Sequence, residues 1–561
     1  MKTTAIKVEG QIISPEIFDN LDSGEIKGQS PKDYGFDAKV KVKEEIQRAW
    51  ANAKDQWKIF KRYIEPLTEE ESGTSETRRY WIIPLLSYLG YNVTVSRAEI
   101  VNENSYAISH RDMNIDGFPI HIVSFNDSLD RKRESSGPRL SPHALVQEYL
   151  NLTEHIYGFV TNGYKLRLLR DSGKLVRLTF VEFDLQKMME EDLYAEFSIL
   201  YRLLHITRMP QKMSEGDISL IEQYHQDSLE AGARIREKLS GAVEDSIKVL
   251  GNGFLSNPKN QELIELIKSG QMSANAFYQR LLRLVYRILF LMVLEERDIV
   301  YPNDDGNGNT KYYKDLYYEY YSLQRLRRLS EKIFFFDEKL FDLWISLRNT
   351  FKIFGSENLA AKIKLYPLDG DLFDYGSLGV LSDSDIDNRS LLQCIKNLSQ
   401  FDDKDTKSII RVNYSALNVE EFGSVYEGLL EKAPSINFDG QHYSFSFVEG
   451  TERSSSGSHY TPEELVQPLI KHSLDYVIED KIKAVIASGA KQSAEEIKKE
   501  KENALLSIKV CDVACGSGHI LLSAARRIAQ ELAKVRTGED QPSPEPYRQA
   551  IRDVINHCIY G

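Results

Sequence analysis

The sequence is poor in cysteine, in long apolar runs and in net positive charge. Its 561 residues include four cysteines, Cys394, Cys511, Cys515 and Cys558. No two form a Cys-x-x-Cys pair, and such scattered thiols build neither a disulfide framework nor a zinc knuckle. The most apolar stretch, Ile288–Leu294, is flanked by Arg287 and Glu295. It is far shorter than the ~18 residues a membrane-spanning helix needs. Met1 to Lys7 lack the apolar core of a secretory leader. A cytoplasmic protein with no membrane partner is expected. With 71 basic and 84 acidic residues, the net charge is −13. The chain as a whole therefore has no electrostatic footprint for nucleic acid. DNA needs only a local basic face. Arg131-Lys132-Arg133, Arg325 with Arg327-Arg328, and Arg526-Arg527 are candidates, and each is equally readable as a solvated surface.

Hydrophobic content of 42% and charged content of 28% describe ordinary globular domains. The length implies three to four of them at roughly 150 residues each. The most informative stretch runs from Leu506 to Leu522. It reads as a short apolar strand, a turn containing Gly516 and Gly518, and a helix carrying Ala524, Ala525, Ile528, Ala529 and Leu532 at helical spacing. Glycines let a backbone turn sharply and let a ligand approach it. The first N–H groups of the helix favour a carboxylate or phosphate, and Asp512 at the strand end suits an ammonium or hydroxyl. The spacing Gly-x-Gly does not meet the dinucleotide fingerprint. An ordinary strand–helix corner would share these features.

The whole string Asp512-Val513-Ala514-Cys515-Gly516-Ser517-Gly518-His519-Ile520-Leu521 closely resembles the S-adenosylmethionine loop of gamma-class adenine-N6 DNA methyltransferases, Asp-Pro-Ala-Cys-Gly-Ser-Gly, with Val513 in place of Pro. Some fifty residues earlier, Gly457-Ser458-His459-Tyr460-Thr461-Pro462-Glu463-Glu464 opens a helix. Thr461 is a plausible N-cap, Pro462 suits the first helical position, and Glu464 completes a capping box. A capped helix alone would explain them. Tyr460-Thr461-Pro462 also resembles the segment that closes over the methionine end of the cofactor in these methylases. The resemblance implies S-adenosyl-L-methionine as cofactor, held by Tyr460, Thr461, Pro462, Asp512, Ala514, Cys515, Gly516, Ser517, Gly518 and Leu521. Between the two segments, Lys481–Asn503 reads as a charged, solvated helix.

The N-terminal region also resembles a known domain. A helix is expected over Lys41–Ile64 and another over Arg78–Tyr91, stopped at Gly90. Strands are expected at Tyr91–Val95, Ile120–Phe125, Phe159–Asn162 and Tyr164–Arg170, with Val146–Leu150 on a helix. This order, with Leu85-Leu86-Ser87-Tyr88-Leu89-Gly90-Tyr91, Gln147-Glu148-Tyr149-Leu150 and Val160-Thr161-Asn162-Gly163-Tyr164-Lys165-Leu166-Arg167-Leu168, resembles the nuclease-like domain of type I and type IIG restriction enzymes. An active member carries Asp…Glu-x-Lys around a divalent metal. Here Ser124 and Asn126 stand where Glu and Lys belong, with Asp112 or Asp116 as the remaining acid. Asp116, Ser124, Asn126 and Gln147 are thus degenerate nuclease positions. No metal is expected, because Ser and Asn cannot supply a carboxylate's charge to Mg²⁺.

The expected fold is α/β plus α. Residues 1–185 form a degenerate, PD-(D/E)xK-related nuclease-like α/β domain. A helical connector covers 186–450, and 451–561 begin a Rossmann-like methyltransferase domain. The stripe Leu281, Leu282, Val285, Leu289, Phe290, Val293 and Leu294 is read as connector core. Connector segments, among them Arg287–Arg297, Leu347–Phe351, Gly370–Phe373 and Phe422–Glu431, resemble type IIG and BREX-type methylases. The catalytic Asn-Pro-Pro-Tyr/Phe of the family is absent; Asn257-Pro258-Lys259 has the only Asn-Pro. The chain therefore reads as an N-terminal portion, without catalytic motif or target-recognition region, of a site-specific adenine-N6 DNA methyltransferase from a restriction–modification or phage-defence system. Double-stranded DNA and a missing C-terminal half, or other subunits, are the expected partners. The alternatives are a non-catalytic DNA- or partner-binding subunit and, further off, a restriction endonuclease.

Overall fold

The computed structural model describes the chain except residues 1–3, 11, 69–70, 133–139, 172–178, 302–307, 369–370, 403–408, 415–416, 418–422, 424–432, 449–460, 462, 489–492 and 517. Tyr460, Pro462 and Ser517 of the expected cofactor loop therefore lie outside the described residues, as do the linker Arg453–Gly457 and all of Phe422–Glu431 except Gly423. The protein is a mixed α/β structure with many helices and forms two compact units. One is Met1–Ala231 with Thr461–Gly561, and the other is Gly232–Tyr460. The expected boundary at 185 thus lies inside the first unit. The reason is packing: Phe197, Leu200, Leu203 and Leu204 share one buried core with Ile122, Phe159 and Phe183.

The first unit is built on a seven-stranded sheet. Its strands are β1 (Ile6–Glu9), β2 (Val93–Val95), β3 (His110–Asp112), β4 (Phe118–Ile122), β5 (Tyr157–Thr161), β6 (Lys165–Arg170) and β7 (Phe180–Asp184), in the order β1-β7-β6-β5-β4-β3-β2. Only the β4–β5 pair is parallel, Ile120 lying opposite Phe159. A parallel pair needs a long crossover, and the helix α2 (Pro142–Leu152) lies on it. Side chains alternate between the two faces. Leu166 and Leu168 join the core under α1 (Val42–Ile64) and α3 (Tyr194–Leu204), while Leu169 joins Val146, Tyr149 and Phe180 on the side of α2.

The helix expected over Arg78–Tyr91 ends at Tyr88, and Gly90 takes φ +92°. Within it, Arg78–Ile82 form a π turn. Pro84 explains this. It has no N–H to donate, and its ring crowds the carbonyl four residues back. That carbonyl, on Tyr80, instead accepts from Gln56 Nε2 at 2.7 Å.

On the α2 face Arg167 is 5% exposed. It donates to Glu182 at 2.6 Å and to both oxygens of Asp130 at 2.7 and 2.9 Å. Burial pushes Asp130 up, but its hydrogen bonds to Arg167 and that guanidinium's charge outweigh it and hold the carboxyl low. Removing one member of such a group leaves uncompensated buried charge. Arg167→Met is expected to destabilise the first unit by about 3 kcal/mol, read as a fall in urea midpoint. An unchanged midpoint would contradict this.

The C-terminal segment of the same unit packs against this region. Ser141 N donates to buried Glu539 at 2.6 Å, and Ser543 Oγ donates to the Asp130 carbonyl at 2.6 Å. The segment contains α4 (Glu463–Ser488), α5 (Ala494–Leu506), β8 (Val510–Cys511), α6 (His519–Thr537), α7 (Pro544–Cys558) and β9 (Ile559–Tyr560). The charged stretch Lys481–Asn503 is therefore parts of two helices, not one.

The second unit is largely helical. Its core is lined by Phe254, Leu281, Ile288, Trp344 and Leu391, with a hairpin of Ala433–Phe438 and Tyr443–Val448. Of the expected core stripe, Leu281, Leu282, Val285 and Leu289 are buried and Phe290 is exposed. Among the described residues no helix is long and apolar enough to cross a membrane.

Candidate functional site

The strand expected from Leu506 is only β8, because α5 continues through Leu506. β8 pairs in parallel with β9, Val510 opposite Ile559 and Cys511 opposite Tyr560. Asp512 N extends the pairing to the Tyr560 carbonyl at 3.0 Å. The chain then turns. Asp512 Oδ1 accepts from Ala514 N at 3.0 Å, and Gly518 N donates to the Cys515 carbonyl at 2.7 Å. Gly516 and Gly518 have φ of +53° and +77°, the left-handed region that costs other residues most. A Cβ placed on either would meet no atom within 4 Å. The glycines are there for backbone shape, and among the described residues the space over them is open. Val513 is 97% exposed, Cys515 is partly buried and Leu521 is buried.

The helix α6 starts directly after Gly518, so its first N–H groups have no intrahelical partner. Its first residue, His519, is buried, and its Nδ1 lies 2.9 Å from the Thr461 carbonyl. A carbonyl only accepts, so Nδ1 carries the proton. This bond joins Thr461 to His519, and so the two segments expected to hold a cofactor, although they are 58 residues apart in sequence. Sequence reading gave His519 no role; only the pairing of a buried ring with a distant carbonyl reveals it. Gly561 also closes on the turn, its Cβ position lying 2.5 Å from Leu521 Cδ1 and 3.2 Å from Cys515 Sγ.

The degenerate nuclease positions have no common point. Asp116 sits at φ +57° on the turn before β4, and its carboxylate accepts from Met213 N at 3.0 Å. Asp112 is buried, with its oxygens taken by Asn92 N at 2.7 Å and Asn114 N at 2.9 Å. Ser124 and Asn126 were expected on a strand, but β4 ends at Ile122. The turn that follows is fixed by its own hydrogen bonds: Ser124 N to Asp127 Oδ2 at 3.0 Å, Asn126 N to Ser124 Oγ at 3.1 Å and Phe125 N to Thr77 Oγ1 at 3.1 Å. At about 3.3 Å per residue, β4 alone puts roughly 13 Å between Asp116 and that turn. Gln147 Nε2 is occupied by Asn151 and the Arg170 carbonyl, both at 3.0 Å. Among the described residues no three His, Cys, Asp or Glu side chains form a metal-sized group. Mg²⁺-dependent cleavage of unmodified duplex DNA is expected to be undetectable in a plasmid-nicking assay. Robust cleavage abolished by Asp116→Ala would overturn this.

Three candidate DNA-facing cations are already engaged. Arg131 pairs with Glu545, Arg327 with Glu296, and Arg527 with Asp475 and Glu531. Comparison with protein-family models, curated proteins and solved structures finds no match to this chain.

Proposed function

We propose that this chain carries the cofactor loop of an S-adenosylmethionine-dependent adenine-N6 DNA methyltransferase of a restriction–modification or phage-defence system. The catalytic Asn-Pro-Pro-Tyr/Phe would come from residues other than these 561. The observation carrying the reading is the turn itself: two left-handed glycines, uncovered among the described residues, at the carboxyl ends of parallel strands and joined through His519 to Thr461. That crevice is where open parallel sheets bind small ligands.

The residues present fit the cofactor. Thr461, Asp512, Ala514, Cys515, Gly516, Gly518 and Leu521 would hold it, with Tyr460, Pro462 and Ser517 as further candidates. The N–H groups that open α6 point the way a carboxylate needs and favour it. Asp512 is partly exposed, and one oxygen remains for the amino group after the other has fixed the turn. When bound, the group supplies an electrophilic methyl. This chain's part is binding and orientation, which account for much of such a rate.

The test is complementation. The chain alone should transfer no methyl group to adenine in duplex DNA, and adding a polypeptide with Asn-Pro-Pro-Tyr should restore transfer. Transfer by residues 1–561 alone would refute the assignment. The absence of Asn-Pro-Pro favours a second reading, a non-catalytic DNA- or partner-binding subunit. Complementation that fails while duplex binding persists would support it.

A further inference from the structure

The second unit contains a cavity of about 170 Å³ that the methylase reading does not use. It lies between the helices Ala274–Glu296 and Asp342–Phe354 and the segment from Phe373 to Ser382. Phe351, Leu359, Phe373 and Leu378 give it an apolar wall, and Arg287, Arg348 and Lys352 give it three cations. Among the described residues no Asp or Glu lines it.

Arg287 is 3% exposed. Its Nε donates to the Leu372 carbonyl at 2.6 Å, and its Nη2 to the Asp374 carbonyl at 2.6 Å and Ser377 Oγ at 2.7 Å. Those bonds use three of the five guanidinium protons. Nη1 makes none of these bonds, and Arg287 itself lines the cavity. Nη1 is thus the nitrogen left to meet a ligand in that cavity. The rings of Phe351 and Phe373, 5.3 and 5.7 Å from the guanidinium carbon, brace the fork. Among the described residues Arg287 has no carboxylate at ion-pair distance. Arg348 is partly neutralised, with Asp385 at 3.6 Å and the Ser382 carbonyl at 3.1 Å. Burying a charge is costly: burial, with a smaller push from Arg283, lowers Arg287 to about 10, and the charge of Asp374 offsets this only in part. A bound anion would remove that cost.

We propose that this cavity binds a small phosphate monoester, its phosphoryl group on the Nη1 side of Arg287 beside Arg348 and Lys352 and its apolar body against Leu359 and Leu378. Arg presents paired N–H groups that match phosphate oxygens.

The test is calorimetry on the full chain with phenyl phosphate, inorganic phosphate and AMP. Phenyl phosphate should bind at one site and inorganic phosphate more weakly. AMP binding tighter than phenyl phosphate identifies a nucleotide ligand; equal binding shows that the phosphoryl end is what is read. Lys352→Glu and Ser356→Glu change the accessible rim, so they should leave the melting temperature unchanged and weaken phenyl phosphate binding by about tenfold or more. Failure of phenyl phosphate to bind at millimolar concentration overturns the proposal, as does binding unchanged by both variants. Duplex DNA binding while phenyl phosphate does not would overturn it too.

Discussion

Acidification from pH 7.5 to 5 is expected to lower the stability of the first unit by an amount comparable with the whole. Four of its histidines, His110, His121, His143 and His205, are at most 6% exposed. Burial, reinforced by Arg78, holds His110 and His121 at about 4, with His110 adding to the effect on His121. Burial and Arg167 hold His143 at about 3, against a smaller opposing pull from Asp130. Burial and Arg208 hold His205 at about 4. All four are neutral in the fold and titrate near 6.5 when unfolded. Their contribution is present above pH 6.5 and is lost as pH falls through the folded values. At pH 5 each costs about 1–2 kcal/mol, so together about 4–8 kcal/mol, against a typical domain stability of 5–15 kcal/mol.

The second unit contains a group of opposite sign. Glu295 is fully buried and accepts from Leu323 N, Gln324 N and Tyr317 OH. Burial raises it to about 7 despite those bonds. Its folded value lies above the unfolded one, so stability is fullest below about pH 4.5 and declines towards pH 7. Trp344 is in the second unit, and the other three tryptophans, Trp50, Trp57 and Trp81, are in the first. In a Trp344→Phe variant, urea unfolding followed by tryptophan fluorescence reports the first unit alone. Its midpoint should fall steeply between pH 7.5 and 5. A midpoint that does not move would show that these histidines are not buried neutral.

The second large effect concerns the glycine turn. Gly518→Val forces a β-branched residue to φ +77°, a conformation costing about 1–2 kcal/mol or more. It therefore confuses strain with lost binding. Gly516→Asp separates the two. Aspartate adopts the left-handed region with less strain than a β-branched residue, and among the described residues its side chain enters space with no atom within 4 Å. The turn should keep its shape while a carboxylate is placed where a carboxylate ligand is expected. In the complemented system Gly516→Asp is expected to lower methyl transfer by 100-fold or more, with the urea midpoint lowered only by the modest strain of an aspartate at φ +53°. Wild-type transfer by this variant would show that the cofactor lies elsewhere.

Much of this site was legible because its signals are local. Asp512 to His519 announces a turn through glycine spacing, and the structure places the turn between β8 and α6. Ile120, Phe159 and Leu166 announced strands by composition, and all three lie in the sheet. What escaped depends on distant partners. The end of β4 at Ile122 is set by Thr77, Asp127 and Ser124 itself, which capture the N–H groups that a longer strand would have used. The π turn at Arg78–Ile82 needs both Pro84 and Gln56 on another helix. The engagement of Arg131 by Glu545 spans more than 400 positions, so a basic run read along the chain looks like a free surface. Thr461 and His519 were both in view, but nothing local says that they touch.

Saturation-transfer NMR with millimolar S-adenosylmethionine and the intact 561-residue chain tests the central claim most directly, because it detects weak binding. A cofactor held mainly by its methionine end should show transfer to the methionine protons. The adenine protons should show little, since the proposed contacts gather at the methionine end. The account predicts that the signal is present in the native chain, lost in Gly516→Asp and kept in Lys352→Glu. No transfer to the native chain, or equal transfer to Gly516→Asp, would contradict it.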